Sequence, residues 1–245
     1  MRSHNPVLAR RDTFAQPSVA TLEEMYAAPR RMTVDDVVGK TALLLGILAV
    51  TAAASWALEL YALAIPAMLV GLVLGLVVTF KKEPSPGLSI AYAAVEGVFL
   101  GAISRLFDEA YPGIAVQAIG GTMLCFGGVL MAYKSGRLRA TPRFRKVIVS
   151  AMMGIFALYA INLVMSLFGS GGLPVINDST PLGILFSVAV VTVAALSFVL
   201  DFELIEEAER QGAPERFAWK AAFGLVVGLV WLYIEMLRLL AKLRD

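Results

Sequence analysis

Seven stretches of about 20 apolar residues, nearly free of charge, decide what this chain can fold into. A bilayer's hydrocarbon core is roughly 30 Å thick, and about 20 residues at 1.5 Å each cross it as a helix. Hydrocarbon offers a backbone no water to bond to, so a spanning segment is a helix or part of a closed barrel, and barrel strands are about half as long. The expected fold class is therefore an all-α membrane protein with seven transmembrane helices. Only 16% of the residues are charged, against about 25% in an ordinary soluble domain.

The runs fall at about 37–58, 60–80, 87–107, 113–133, 147–168, 181–201 and 217–240. Residues 1–36 carry prolines, arginines and acids without a sustained period, and read as a disordered, solvated tail ahead of a transmembrane domain at 37–245. The tail lacks the apolar stretch of a signal peptide. The first two runs are joined by almost no loop, which predicts a tight hairpin. Gly169-Ser170-Gly171-Gly172 predicts a flexible loop that ends near Pro181. The acidic stretch from Glu203 to Gln211 reads as a continuation of the sixth helix with a solvated face.

Charge agrees with this count. With the tail labelled inside, the inside segments hold Arg30 and Arg31, Lys81 and Lys82, the basic segment from Lys134 to Lys146, then Arg210 and Arg216. The outside loops hold no lysine or arginine. This is the positive-inside pattern, and it predicts a multi-pass protein of the cell membrane with a cytoplasmic N-terminus and an external C-terminus. Arg238, Lys242 and Arg244 at the C-terminal end run against it.

A net charge of +2 gives no support to a nucleic-acid partner. One histidine, His4, and one cysteine, Cys125, cannot build a zinc site or a His-based catalytic set. No His-Glu-x-x-His occurs, and the seventh run has no lysine between Lys220 and Lys242 for a retinal. An enzyme is not expected, no cofactor is required, and the lipid bilayer is the one obligatory partner. Gly71-x-x-x-Gly75, Gly97-x-x-x-Gly101 and Gly224-x-x-x-Gly228 predict close helix packing, within one molecule in preference to a dimer. Trp56, Trp219 and Trp231 read as interfacial anchors.

Ionisable side chains inside hydrocarbon are costly, so each is a functional candidate. Glu96 is mid-helix in the third run, Glu235 is deep in the seventh, and Asp201 closes the sixth. Each has a plainer reading: a satisfied structural carboxyl for Glu96, a salt bridge with Arg238 for Glu235, and a solvated helix end for Asp201. Arg238 follows Glu235 by three residues and shares its face, so the two can pair. Arg105 follows Glu96 by nine, on the opposite face, and is expected to snorkel to the interface. Tyr92, four before Glu96, is placed to donate to it.

The chain resembles the Bax inhibitor-1 family, also called the transmembrane Bax inhibitor motif family, in its bacterial branch. The likeness rests on the helix count, on Ala91-Tyr92 through Gly97-x-x-x-Gly101, on Leu200-Asp201-Phe202-Glu203-Leu204-Ile205, and on Trp231-Leu232-Tyr233-Ile234-Glu235. Asn5-Pro6-Val7-Leu8 and Arg31-Met32-Thr33-Val34-Asp35-Asp36 are similar to an actinobacterial subgroup. The resemblance implies a last helix surrounded by the other six, and a pH-sensitive calcium leak whose proton-sensing latch is a carboxylate pair on the last two helices. By position, that pair is Asp201 and Glu235, which would also be the Ca²⁺ ligands. The chain departs from the pattern with Leu200 in place of Tyr and Glu235 in place of Asp. A second-helix acid is absent where Gly71 stands, and Glu96 is its substitute candidate.

Physical chemistry supports such a pair. Two carboxyls in contact cannot both ionise cheaply, so they share a proton, and ionised oxygens suit a hard cation. Depth argues against contact. Asp201 lies 11 residues before Gly212 and Glu235 lies 23 after it, so straight antiparallel helices leave them well apart unless tilt or a kink closes the gap. The competing expectation is a non-conducting regulator that binds a membrane protease or other membrane proteins.

Overall fold

A computed structural model describes residues 30–169 and 171–245 of the chain. The tail expected to be disordered lies outside the described residues up to residue 29. Among the described residues, seven helices are long and apolar enough to cross a membrane. They are α1 (Val34–Ala57), α2 (Ala64–Phe80, entered through the 3-10 turn Tyr61–Leu63), α3 (Pro86–Ala110), α4 (Ile114–Lys134), α5 (Pro142–Leu167), α6 (Pro181–Arg210) and α7 (Ala218–Lys242). A single turn, Pro174–Asn177, interrupts the loop before α6, and a 3-10 turn, Glu215–Phe217, leads into α7.

Local chemistry sets the helix starts. Thr33 caps α1 in a reciprocal box: its hydroxyl accepts from the Asp36 amide at 3.2 Å, and the Asp36 carboxylate accepts from the Thr33 amide at 3.0 Å. Residues 31–36 therefore belong to the fold and not to a tail. The Met32 amide donates to the Ala213 carbonyl at 2.7 Å and the Val34 amide to Glu209 at 3.0 Å, tying the start of α1 to the turn between α6 and α7. We expect Thr33→Ala to cost about 1 kcal/mol of stability, the usual worth of such a cap, read by denaturation in detergent micelles. The pair Thr-Pro starts both α5 and α6, with Thr141 and Thr180 as caps and proline at the first helical position. α5 thus begins five residues before the expected start, and Arg143, Arg145 and Lys146 ride on its first turns.

α7 is the central element, packed against α1, α3, α4 and α6. Around it, α2 packs chiefly on α3 and α5 chiefly on α6, and α5 also reaches α7 through Tyr159. The outer surface is apolar: Val50, Leu72, Phe80 and Phe156 are each more than half exposed. In water this would be an aggregation surface, and against acyl chains it is a solvated one.

Of the paired glycines, Gly71, Gly75, Gly97, Gly101 and Gly228 face a neighbouring helix of the same molecule, and Gly224 does not. A Cβ on Gly97 or Gly101 would strike α1 at Thr51, Leu48 and Ala52, so α3 rests directly on the α1 backbone. Gly75 faces the Tyr92 ring, and Gly228 faces the Phe198 ring. Two sequence expectations change. Trp231 lies in the middle of α7, not at a helix end. Residues 171–177, where a flexible loop is expected, are held in place: the Leu173 amide donates to Asn162 at 2.6 Å, Asn177 donates to the Gly171 carbonyl at 2.9 Å, and Ile176 is 1% exposed. Beside it the C-terminal Asp245 accepts from Tyr111 and Ser179, and these hydrogen bonds hold its carboxyl below the usual range.

Candidate functional site

The α6–α7 hairpin sets where the site carboxylates lie. The two helices run antiparallel about the turn at Gln211–Pro214, so residues equally distant from it face each other. By that count Gly224 stands opposite Asp201, and Gly228 stands one turn further in, where it meets Phe198. Asp201 opens into a cleft of about 470 Å³ at the end where the tail joins, lined by Met32, Phe217, Lys220 and Gly224 among others. Gly224 has nothing within 4 Å of a Cβ position, and this missing side chain helps keep the cleft open. The Asp201 carboxylate makes no hydrogen bond among the described residues. Lys220 shares the cleft but donates to the Lys81 carbonyl at 3.1 Å.

Glu235 is 2% exposed and fully engaged near the other end of α7. Tyr159 of α5 donates to Oε2 at 2.8 Å, and Arg238 lies 3.5 Å from Oε1. Arg238 also donates to the Ile176 carbonyl at 3.2 Å, and its guanidinium sits 5.0 Å from the Tyr159 ring centre. Lys242, also buried, donates to the Gly183 carbonyl at 3.1 Å. Through these contacts the turn Pro174–Asn177 is latched onto α7 by Arg238, and Glu235 holds Arg238 in place.

The proton-sharing contact expected between Asp201 and Glu235 is absent from this conformation. Glu235 lies eleven residues beyond Gly224 on α7, about 16 Å along the axis. The two carboxylates therefore do not offer Ca²⁺ a joint ligand set here. Among the described residues there is also no cluster of three or more acidic, histidine or cysteine ligands.

Glu96 points into the bundle at 8% exposure. Its Oε2 lies only 2.5 Å from where a Cβ on Gly71 would stand, so the third-helix carboxylate fills space that a second-helix side chain would otherwise claim. The bond from Tyr92 that the spacing allows is not among those formed. The Tyr92 ring instead stands edge-on to Phe223 of α7, with centroids 5.0 Å apart. Arg105 is far from Glu96. It pairs with Glu59 at 3.2 Å and Glu109 at 3.1 Å, over the Trp56 ring, at the end away from the tail.

Sequence reasoning missed Met32, Lys220, Tyr159 and Ile176 as parts of these sites. Lys220 alone carried a signal, as a cation at the start of the last run. Tyr159 lies on the outer helix α5, with no spacing rule to link it to α7, and Ile176 lay in a loop read as mobile.

No curated protein matches this chain. The sequence model of the family described as Bax inhibitor 1 like matches residues 5–245, nearly the whole chain, and the protein belongs to that family.

Proposed function

We propose that the protein is a pH-responsive cation leak of the Bax inhibitor-1 type, with Ca²⁺ as the favoured permeant ion. The observation that carries this reading is the placing of two carboxylates, one on the central helix and locked, the other on α6 beside it and open. Asp201 stands unbonded in the cleft at the tail end, and at the other end Glu235, through Arg238, holds the turn Pro174–Asn177 as a plug. An anionic oxygen in a cleft attracts a hard cation. A buried carboxylate that holds a closing element releases it on protonation. The pair thus acts in series along α7, at about 16 Å separation, and not as one shared proton.

The signs follow from charge. Protonating Asp201 removes the attraction for a cation and lowers flux. Protonating Glu235 weakens its hold on Arg238 and raises flux. Together they give a flux that passes through a maximum with pH. The test is Ca²⁺ flux across proteoliposomes that contain only this protein. Asp201→Asn is expected to lower flux about tenfold or more at pH values where the parent carboxyl is ionised, the scale of a local-charge effect on cation supply. It should also remove the acid-inhibited limb. No flux from folded parent protein at any pH would favour the alternative, a non-conducting regulator that binds a membrane protease or other membrane proteins.

The proposed setting is the cell membrane of a bacterium, with the N-terminus in the cytoplasm and the C-terminus outside. The loop charges support it. Reporter fusions after Lys146 and after Asp245 should then report opposite sides, and both reporting the cytoplasm would overturn the orientation. A monomer is the favoured assembly, because Gly71, Gly75, Gly97, Gly101 and Gly228 face helices of the same molecule.

A further inference from the structure

A second cavity, far from Asp201, lies on the lipid-facing side between α1 and α4. Its volume is about 460 Å³. On α1 it runs from Leu45 past Ala49, Ala52 and Ala53 to Trp56, about 16 Å of helix. Small side chains on α1 create the space, and Val116 on the α4 rim is 74% exposed, so the cleft opens sideways. The lining is almost wholly apolar.

We propose that this cleft holds one acyl chain of a zwitterionic phospholipid, whose amine-bearing headgroup sits on the Arg105, Glu59 and Glu109 cluster at its mouth. A single extended hydrocarbon chain suits a narrow cleft of this length, and the bilayer supplies such chains without limit.

The mouth selects the headgroup. Trp56 closes the cleft at the end away from the tail, and the Arg105 guanidinium lies 5.5 Å from its ring centre. Arg105 in turn holds Glu59 at 3.2 Å and Glu109 at 3.1 Å. One guanidinium and two carboxylates sum to a net charge of −1, which disfavours a purely anionic headgroup. A phosphate followed by an ammonium meets complementary charge at both points: guanidinium donors for the phosphate and carboxylate acceptors for the ammonium. The side chains of Arg105, Glu59 and Glu109 are 30%, 59% and 51% exposed, so a headgroup can reach them.

The deep wall carries an internal control. Thr122 is 2% exposed, lines the cleft, and its hydroxyl has no hydrogen-bond partner among the described residues. A hydrocarbon chain gives that hydroxyl nothing, so Thr122→Val should leave lipid binding unchanged or tighten it.

The experiment is native mass spectrometry of the full, delipidated chain titrated with dioleoyl phosphatidylethanolamine or dioleoyl phosphatidylglycerol. The expected result is one tightly held phosphatidylethanolamine, preferred over phosphatidylglycerol. Glu59→Gln with Glu109→Gln, both on the surface, changes the cluster to +1 and should move the preference toward phosphatidylglycerol by about tenfold or more, given the usual effect of a single charge at a lipid surface. Ala49→Phe with Ala53→Phe fills the cleft and should abolish retention of both lipids, while the thermal melt shows the protein folded. Equal retention of the two lipids, a preference unmoved by the glutamine pair, or retention that survives cleft filling would each overturn the proposal. So would a loss of lipid in Thr122→Val, which would mean a polar occupant, or a dimer that cleft filling dissociates, which would mean a second copy of the chain.

Discussion

Glu235→Gln should raise Ca²⁺ flux at neutral pH about tenfold to a hundredfold and remove its rise on acidification. The glutamine amide is close in shape to glutamate and still accepts from Tyr159, so the change is mainly one of charge. It leaves Arg238 bonded to the Ile176 carbonyl but without its carboxylate partner. Neutralising one partner of a largely buried ion pair costs a few kcal/mol, and each 1.4 kcal/mol is about a tenfold change in an equilibrium. Arg238 is 26% exposed, and solvent screening pulls the figure toward the lower end. Tyr159→Phe removes one neutral donor and keeps the charge pair, so it should give a smaller rise with the acid response intact. Combined with Asp201→Asn, the glutamine substitution should give an intermediate flux with little pH dependence. Two carboxylates in contact would behave otherwise, because the second substitution would then add little to the first. Flux in Glu235→Gln equal to the parent at every pH would remove Glu235 from the gate.

The second large effect is on stability. Gly101→Leu should destabilise the protein by about 1–3 kcal/mol, the usual cost of overpacking, read by unfolding in mixed micelles. A Cβ at position 101 meets the Ala52 carbonyl and comes within 2.8 Å of the Ser55 Cβ, and backbone atoms cannot swing aside as a side chain can. Moving the helices apart would also strain the bond from Ser55 to the Val98 carbonyl at 2.8 Å, which crosses from α1 to α3. Gly120→Leu on α4 is the control. Nothing lies within 4 Å of a Cβ there, so the new side chain only adds to the surface that lipid covers. Equal losses at the two positions would mean that the close approach of α1 does not set the effect.

The seven spans were legible in the sequence because crossing hydrocarbon is a constraint on length and composition alone. Hydropathy was blind where helices leave the bilayer. α5 starts at Pro142, in a basic stretch where the Thr141 cap holds the helix, whereas the continuation of α6 to Arg210 was legible in its acidic stretch. Thr141-Pro142 is a helix-start signal, and it was read as part of a basic loop because only apolar residues were counted.

Glu96, Asp201 and Glu235 could be singled out from sequence, since a carboxylate in a run of leucines and valines needs a reason to be there. The i, i+3 pairing of Glu235 with Arg238 was also legible, because a helix fixes which of its own residues share a face. Residue counts to the Gly212 turn even foretold that Asp201 and Glu235 differ in depth. What each carboxylate meets across a helix boundary was not legible. Tyr159 is 76 residues from Glu235 in the chain, and no periodicity within either helix records how the two are rotated toward each other. The chain by itself determined the helices, their order and the acids buried in them, because those depend on local hydrogen bonding and transfer to hydrocarbon. The tertiary structure alone decided that Asp201 is open, that Glu235 is locked beneath Ile176, and that Glu96 fills the space beside Gly71, because helix rotation and register are set by side-chain packing between segments distant in sequence.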